Sequence, residues 1–395
     1  NRPQNGGFII ISATKNFDPI LAYNTTGHFS VGGEKPDGLK MWQEGTLNAV
    51  KASDAFRQDV KQNYRRLWRQ YEEETMANAK ISRSPDILTP EESQALNKLR
   101  QVVEKKKGEL HYQGHRIYSV EDRITGDEAF DDEIREYVKE AIHPEYADYW
   151  NVLSFISYDP RPKSQEHIDN FVQSEWHQTG VFRIAFPVVD SFHPVAGCMP
   201  VAIGQIMRYY EYPQTYNWSA MPINGSKVTS QFLYEVATRC KATYRPGETA
   251  VTLPNALNCL HGYGYSADLG TPDKMDVDAS LRRKEPIIMT GFDDRGVGHA
   301  WLASGLDCIY YEPDRYEVWT YIRRTEFGNM YSFIKGFGYL RHLYYMNWGF
   351  GIDSSTNQSF NGYYKVSDPV SVGGVQYGPY PNYLKYFVNI KPVQK

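Results

Sequence analysis

A chain of 395 residues is long enough for two compact units, or for one large core carrying an appended segment. Its 41% hydrophobic content supports a globular interior, while a net charge of −4 gives no electrostatic footprint for a nucleic-acid partner. No apolar run approaches the roughly 20 residues that a bilayer-spanning helix needs, so no transmembrane segment is expected.

In chain order, Phe8 to Ser12 and Ile20 to Tyr23 read as two short strands punctuated by Gly, Asn, Asp and Pro, a small sheet. From about Leu39 to Leu110 the texture turns charged and helix-forming. Thr89-Pro-Glu-Glu92 has the form of a helix start, with Thr as N-cap and Pro at the first helical position, and Leu96, Leu99 and Val103 follow at helical spacing. An acidic helix is expected near Asp131 to Ala141. The prolines of Tyr158-Asp-Pro-Arg-Pro-Lys163 then place a domain boundary near residue 160.

Past that boundary Met199 to Tyr210 and Gln231 to Cys240 read as helices. Strands dominate afterwards, at Pro286 to Gly291, His299 to Leu306, Leu343 to Trp348 and Tyr363 to Val366, the first two joined across a loop with Asp294, Gly296 and Gly298. The fold class is therefore α+β. The four cysteines, Cys198, Cys240, Cys259 and Cys308, show no CxxC spacing, which gives a zinc site or redox motif no support; a Cys240 to Cys259 disulfide stays open.

Cys198 stands where a Gly-containing loop turns into an apolar helix. A thiol there meets exposed backbone N–H groups and the positive end of the helix dipole, which favour thiolate. His299 opens an apolar strand after a turn, a position from which imidazole can take the thiol proton. Asn347-Trp348-Gly349 ends a later strand, where the amide oxygen can accept the second imidazole N–H and Trp348 can shield that bond from water. Taken singly, each has an ordinary structural explanation: a buried free cysteine, a strand-end histidine, a strand running into a tight turn. Their order along the chain, cysteine then histidine then asparagine, is that of papain-like enzymes.

The motifs go further. His193-Pro-Val-Ala-Gly-Cys198 with Gln205-Ile-Met207 and Tyr212-Pro213, Gly298-His299-Ala300 with Gly305-Leu-Asp307, and Asn347-Trp348-Gly349 resemble those of the streptopain-like cysteine peptidases. Trp176-His-Gln178 is similar to the family's glutamine segment, which makes Gln178 the candidate second oxyanion donor beside the Cys198 N–H. At the front, GGFIIIS, Ile20-Leu-Ala-Tyr23 and Gly27-His-Phe29 resemble the family's propeptide.

The resemblance implies a latent cysteine endopeptidase with a papain-like catalytic domain over 161–395. A propeptide-like domain over 1–160, with a helical insertion at about 54–150, would act as its intramolecular inhibitor. Protein or peptide substrates are implied, with an apolar side chain favoured just before the scissile residue, and neither a metal nor an organic cofactor. Location outside the cytoplasm (secreted, periplasmic or at the cell surface) follows from the same resemblance, with a leader expected to have been removed ahead of Asn1. The activating cut is expected between Ser157 and Gln165. Met199-Pro200, Phe350 and Ile352 depart from the pattern, and residues 54–150 and 308–340 stand as insertions to which the family assigns no role. Two other readings fit the same residues: a catalytically dead binding or inhibitory relative, and a papain-fold amidase or acyltransferase.

Overall fold

The computed structural model describes residues 6–57, 60–61, 64–65, 67–68, 90–120, 122, 128–141, 154–159, 161–271, 274–292, 298–312, 314–323, 326–335, 339–351, 359–365, 370–372, 375–377 and 384–393. The front of the chain forms β1 (Phe8–Ile11), β2 (Ile20–Asn24) and α1 (Asp37–Ala52), followed by α2 (Pro90–Tyr112), β3 (Arg116–Ser119), α3 (Glu128–Ala141), β4 (Phe155–Tyr158) and β5 (Ser164–Ile168). Next come α4 (Cys198–Tyr210), α5 (Lys227–Arg239), β6 (Thr243–Arg245), β7 (Glu248–Ala250), α6 (Leu253–Gly262), β8 (Tyr265–Gly270) and α7 (Lys274–Arg282). The rest is strand: β9 (Ile287–Phe292), β10 (Gly298–Tyr311), β11 (Asp314–Arg323), β12 (Glu326–Lys335), β13 (Tyr339–Asn347), β14 (Gly362–Lys365), β15 (Val370–Val372), β16 (Val375–Tyr377) and β17 (Lys385–Pro392). The expected N-cap Thr89, the loop residues Asp294 and Gly296, Ile352 and Val366 lie outside the described residues. None of the described helices is long and apolar enough to cross a membrane.

A nine-stranded antiparallel sheet, β1-β2-β14-β13-β10-β9-β17-β8 with β5 against the second half of β10, organises the molecule. Alternation along β10 assigns its two faces. Ala300 and Leu302 point into a core shared with α4, α5 and α6, whereas Trp301 and Ala303 point into a second core shared with α1. Helix α4 is buried from Met199 through Met207 because sheet and helix cover it on both sides, which accounts for its nearly all-apolar sequence. Cys240 and Cys259 both sit in the first core as free thiols, and the Cys259 thiol donates to the Val236 carbonyl (3.8 Å).

The front of the chain is part of this sheet. β2 pairs with β14, Ala22 opposite Tyr364 and Tyr23 opposite Tyr363. Helix α1 buries Leu39, Trp42, Thr46 and Ala49, a spacing of three and four that makes one stripe, and lays it on the second core. Trp42 donates its indole N–H to the Lys365 carbonyl (2.9 Å), and the Lys365 ammonium meets the Asp18 carboxylate in a buried ion pair.

The two insertions form one structure. β3 and β4 from before residue 160 and β11 and β12 from the second insertion make a four-stranded antiparallel sheet in the order β12-β11-β4-β3. The first insertion, expected to be helical, therefore contributes a strand as well as α2 and α3, because β3 supplies the outer partner for β4. Residues on both sides of position 160 share both sheets.

Candidate active site

Cys198 is the first residue of α4, half-buried, with Gly197 as its N-cap at φ 88°. Only glycine fits there. That backbone is strained for any other residue, and an added Cβ would lie 2.9 Å from Thr249 Cγ2 and 3.0 Å from the Thr249 carbonyl oxygen. Thr249, on β7, donates in turn to the Val195 carbonyl (2.6 Å), so the loop entering α4 is fixed from the side. Pro200 is tolerated because it lies in the first turn, where a missing N–H forfeits no helical hydrogen bond.

The thiol shares its surroundings with the His299 imidazole and with the backbone N–H groups of Ala300 and Met199, all of which favour its ionised form. Burial pushes the Cys198 pKa up, but the His299 imidazole, aided by those two N–H groups, outweighs it and leaves the thiol below its ordinary range. His299 is buried (5% exposed) and its imidazole is stacked beside Trp301 at 6.1 Å. Burial lowers its pKa, whereas Cys198, the Trp348 carbonyl and the nearby Asp37 charge raise it, with a net upward shift. The two groups favour each other's ionised form.

The second imidazole nitrogen departs from the expected arrangement. His299 Nε2 lies 3.2 Å from the carbonyl oxygen of Trp348. The Asn347 amide is engaged elsewhere: Nδ2 donates to the Ser174 carbonyl (2.9 Å) and to Gln205 Oε1 (3.0 Å), while Oδ1 accepts the Gly349 N–H (3.1 Å). The Trp348 N–H is held by Asn361 Oδ1 at 3.1 Å. Hydrogen bonds on both sides of the Trp348 peptide thus aim its carbonyl at the imidazole. The Trp348 ring is fully buried between Trp301 (5.2 Å) and Tyr364 (5.1 Å), a wall that keeps water from this bond.

Gln178 lies half-buried in a turn before α4, and its carbonyl accepts the Ala196 N–H at 2.9 Å, which ties it to the strand of chain two residues before Cys198. Its neighbour His177 packs on Phe182 (4.4 Å), and burial holds that imidazole below its usual pKa.

Three contributors have no counterpart in the sequence reading of roles. The Trp348 carbonyl leaves no trace in a sequence because every residue has one. Gln205 stands seven residues after Cys198, two helical turns along the same face, so its place in the Gln-Ile-Met motif was a usable signal. The third is Gly38 at the start of α1: a Cβ there would come within 2.6 Å of His299 Cδ2 and 3.0 Å of both Trp301 and Trp348. The front of the chain lies directly on the histidine.

Comparisons with known proteins give the following similarities. Residues 1–50 match the family model of the Spi protease inhibitor. Over 262 residues the chain is 24% identical to the thiol protease/hemagglutinin PrtT of Porphyromonas gingivalis, a match that takes in 55% of this chain and 26% of that protein; the chain thus spans about a quarter of that curated relative. Among solved structures, active interpain A of Prevotella intermedia aligns at 15% identity and a TM-score of 0.38, over 56% of this chain and 94% of that one. A mutant prointerpain A fragment from the same organism aligns at 14% identity and a TM-score of 0.47, over 99% of this chain and 94% of that one. The chain is thus similar at once to a protease inhibitor family, over its first 50 residues, and to a thiol protease, over about half its length.

Proposed function

We propose that this chain is the latent form of a cysteine endopeptidase, with Cys198 as nucleophile and His299 as its base. The observation that carries the reading is the placement of a thiol at the head of α4 beside a buried imidazole, each favouring the other's ionised form, with the thiol's pKa lowered and the imidazole's raised. In that pair His299 holds the Cys198 proton. The thiolate adds to a peptide carbonyl, and the negative charge on oxygen is met by the Cys198 N–H and the Gln178 amide. His299 then gives its proton to the leaving amine, and a water, deprotonated by the same imidazole, hydrolyses the thioester. Asn347 acts one peptide removed, by holding the Trp348 carbonyl that orients the ring, and Trp348 keeps that contact dry.

Residues up to about 160 supply the latency, through α1 seated on His299. Peptide or protein substrates and an extracytoplasmic location follow from the same reading. The match of residues 1–50 to a protease inhibitor family also favours a second reading, an inactive inhibitory relative. Labelling with iodoacetamide or an epoxide, followed by intact mass, separates the two: one adduct on Cys198 after trimming near residue 160, lost in His299→Ala, is expected of the peptidase. No adduct in either form is the result that would favour the inhibitor.

A further inference from the structure

The stretch expected to contain the activating cut is mostly locked in strands. β4 ends at Tyr158 and β5 begins at Ser164, so only 159–163 forms a connection between them, with Asp159, Arg161 and Lys163 exposed. What lies on either side of that loop is interlocked. β4 is buried at all four positions and is a central strand, paired with β3 on one edge and with β11 on the other. β3 precedes the loop in the chain and β11 follows it.

The contacts across this boundary are apolar and specific. Val120, Ile134, Ile156 and Tyr158 share one core with Tyr316 and Val318. Phe155 stacks on Trp319 at 6.5 Å, the Trp319 indole donates to Ser157 Oγ at 3.2 Å, and Lys106 Nζ lies 4.6 Å above the same ring. Departure of residues before 159 would uncover Tyr316 and Val318, both almost completely buried, and would leave β11 as an open apolar edge of the kind proteins avoid. In the nine-stranded sheet the same upstream part of the chain holds on through β2 against β14, Trp42 on the Lys365 carbonyl and the Asp18–Lys365 pair.

We propose that cutting the 159–163 loop does not release the upstream segment: it produces a nicked, two-chain protein in which the β11–β12 hairpin is the docking surface for β4. This rests on the reading of the chain as a proenzyme. It adds that the first cut leaves the inhibitory helix in place, and that activity waits for a second event, the digestion or dissociation of the upstream chain. The hairpin is the continuation of the strands that bear His299 and Asn347, so the second insertion serves retention.

The test uses full-length Cys198→Ala protein with a recognition site for an unrelated sequence-specific protease, flanked by Gly-Ser, placed within 159–163. After complete cutting, gel filtration and native mass spectrometry at roughly micromolar protein are expected to show both fragments migrating together at the uncut mass and separating only in denaturant. Trp319→Ala in the same nicked protein is expected to speed dissociation about tenfold, as loss of an interface anchor does. Fragments that part on the native column overturn the proposal, and a dissociation rate unmoved by Trp319→Ala overturns the assignment of the hairpin. Because the outside protease does the cutting, neither result depends on Cys198 chemistry; failure of the peptidase reading would show separately, as an absent Cys198 adduct.

Discussion

His299 Nε2 rests 3.2 Å from the Trp348 carbonyl, and the neighbouring Asn347 side chain holds that carbonyl in place without touching the ring. The orienting function is thereby spread over a peptide unit and its supports. A backbone acceptor cannot be deleted by substitution, so the supports are where it is testable.

Asn347→Ala removes three hydrogen bonds and strands the buried Gln205 amide, a loss of about 1–3 kcal/mol per unsatisfied group. If trimmed protein hydrolyses peptides as proposed, this variant is expected to lose roughly 10- to 100-fold in kcat/KM, on the conversion of about 1.4 kcal/mol per decade. Gln205→Leu should act in the same direction and less strongly. Since both act through one bracket, the double variant should cost less than the sum, which a double-mutant cycle on kcat/KM measures.

The pH dependence follows from the paired shifts. The Cys198 pKa is lowered from the ordinary thiol range and that of His299 is raised from the ordinary imidazole range. Thiolate is therefore present at pH values where a free thiol is protonated, and the imidazolium beside it persists above pH values where a free histidine has lost its charge. The rate of Cys198 alkylation in the trimmed protein should rise as pH passes upward through the lowered thiol value. In His299→Ala the burial that raises the thiol loses its main opponent, so the midpoint should move upward and alkylation at neutral pH should fall at least about tenfold. An unmoved midpoint would show that the pair is not coupled.

Gly38→Leu tests the seat of α1. Replacing a helical glycine normally favours the helix by about 1 kcal/mol, yet here the new side chain meets His299, Trp301 and Trp348 at or inside 3.0 Å, and overpacking costs about 1–3 kcal/mol. The steric term wins. The full-length variant is expected to unfold at lower temperature and to accept the Cys198 probe without trimming, and a full-length protein as unreactive as the parent would count against α1 as the inhibitory contact.

Asp18→Ala leaves the Lys365 ammonium buried without its carboxylate, a change that costs about 3–5 kcal/mol where one partner of a buried pair is removed. Thermal unfolding should show a clear drop, largely restored by pairing Asp18→Ala with Lys365→Met, since the apolar side chain has no charge to desolvate.

Much of the site was legible because it is local. The helix from Cys198 to Tyr210 announces itself by an apolar run after Gly197, and the strand at His299 by its β-rich run after a turn. The expected strands at Phe8 and Ile20 were also found, within a residue or two of their ends. What escaped is what depends on distant partners. β4 pairs with β11 about 160 residues away, Glu317 opposite Ser157, and nothing in either segment names the other. Each insertion supplies only part of a sheet, so neither shows a role by itself. The acceptor for His299 was misplaced by one residue for a related reason: side chains advertise hydrogen-bonding capacity in a sequence and peptide carbonyls do not.

The aromatic wall behind His299 has an optical consequence. Trp301 packs on Trp348 and Trp348 on Tyr364, a ring that Trp42 from the front of the chain also meets, edge-on at 4.9 Å. All three indoles are shut away from solvent in the docked state. Departure of the upstream chain would carry one of them into water and wet the face of the other two, so intrinsic emission should shift to the red in step with unmasking, a label-free clock for the transition that covalent probes sample only at its end.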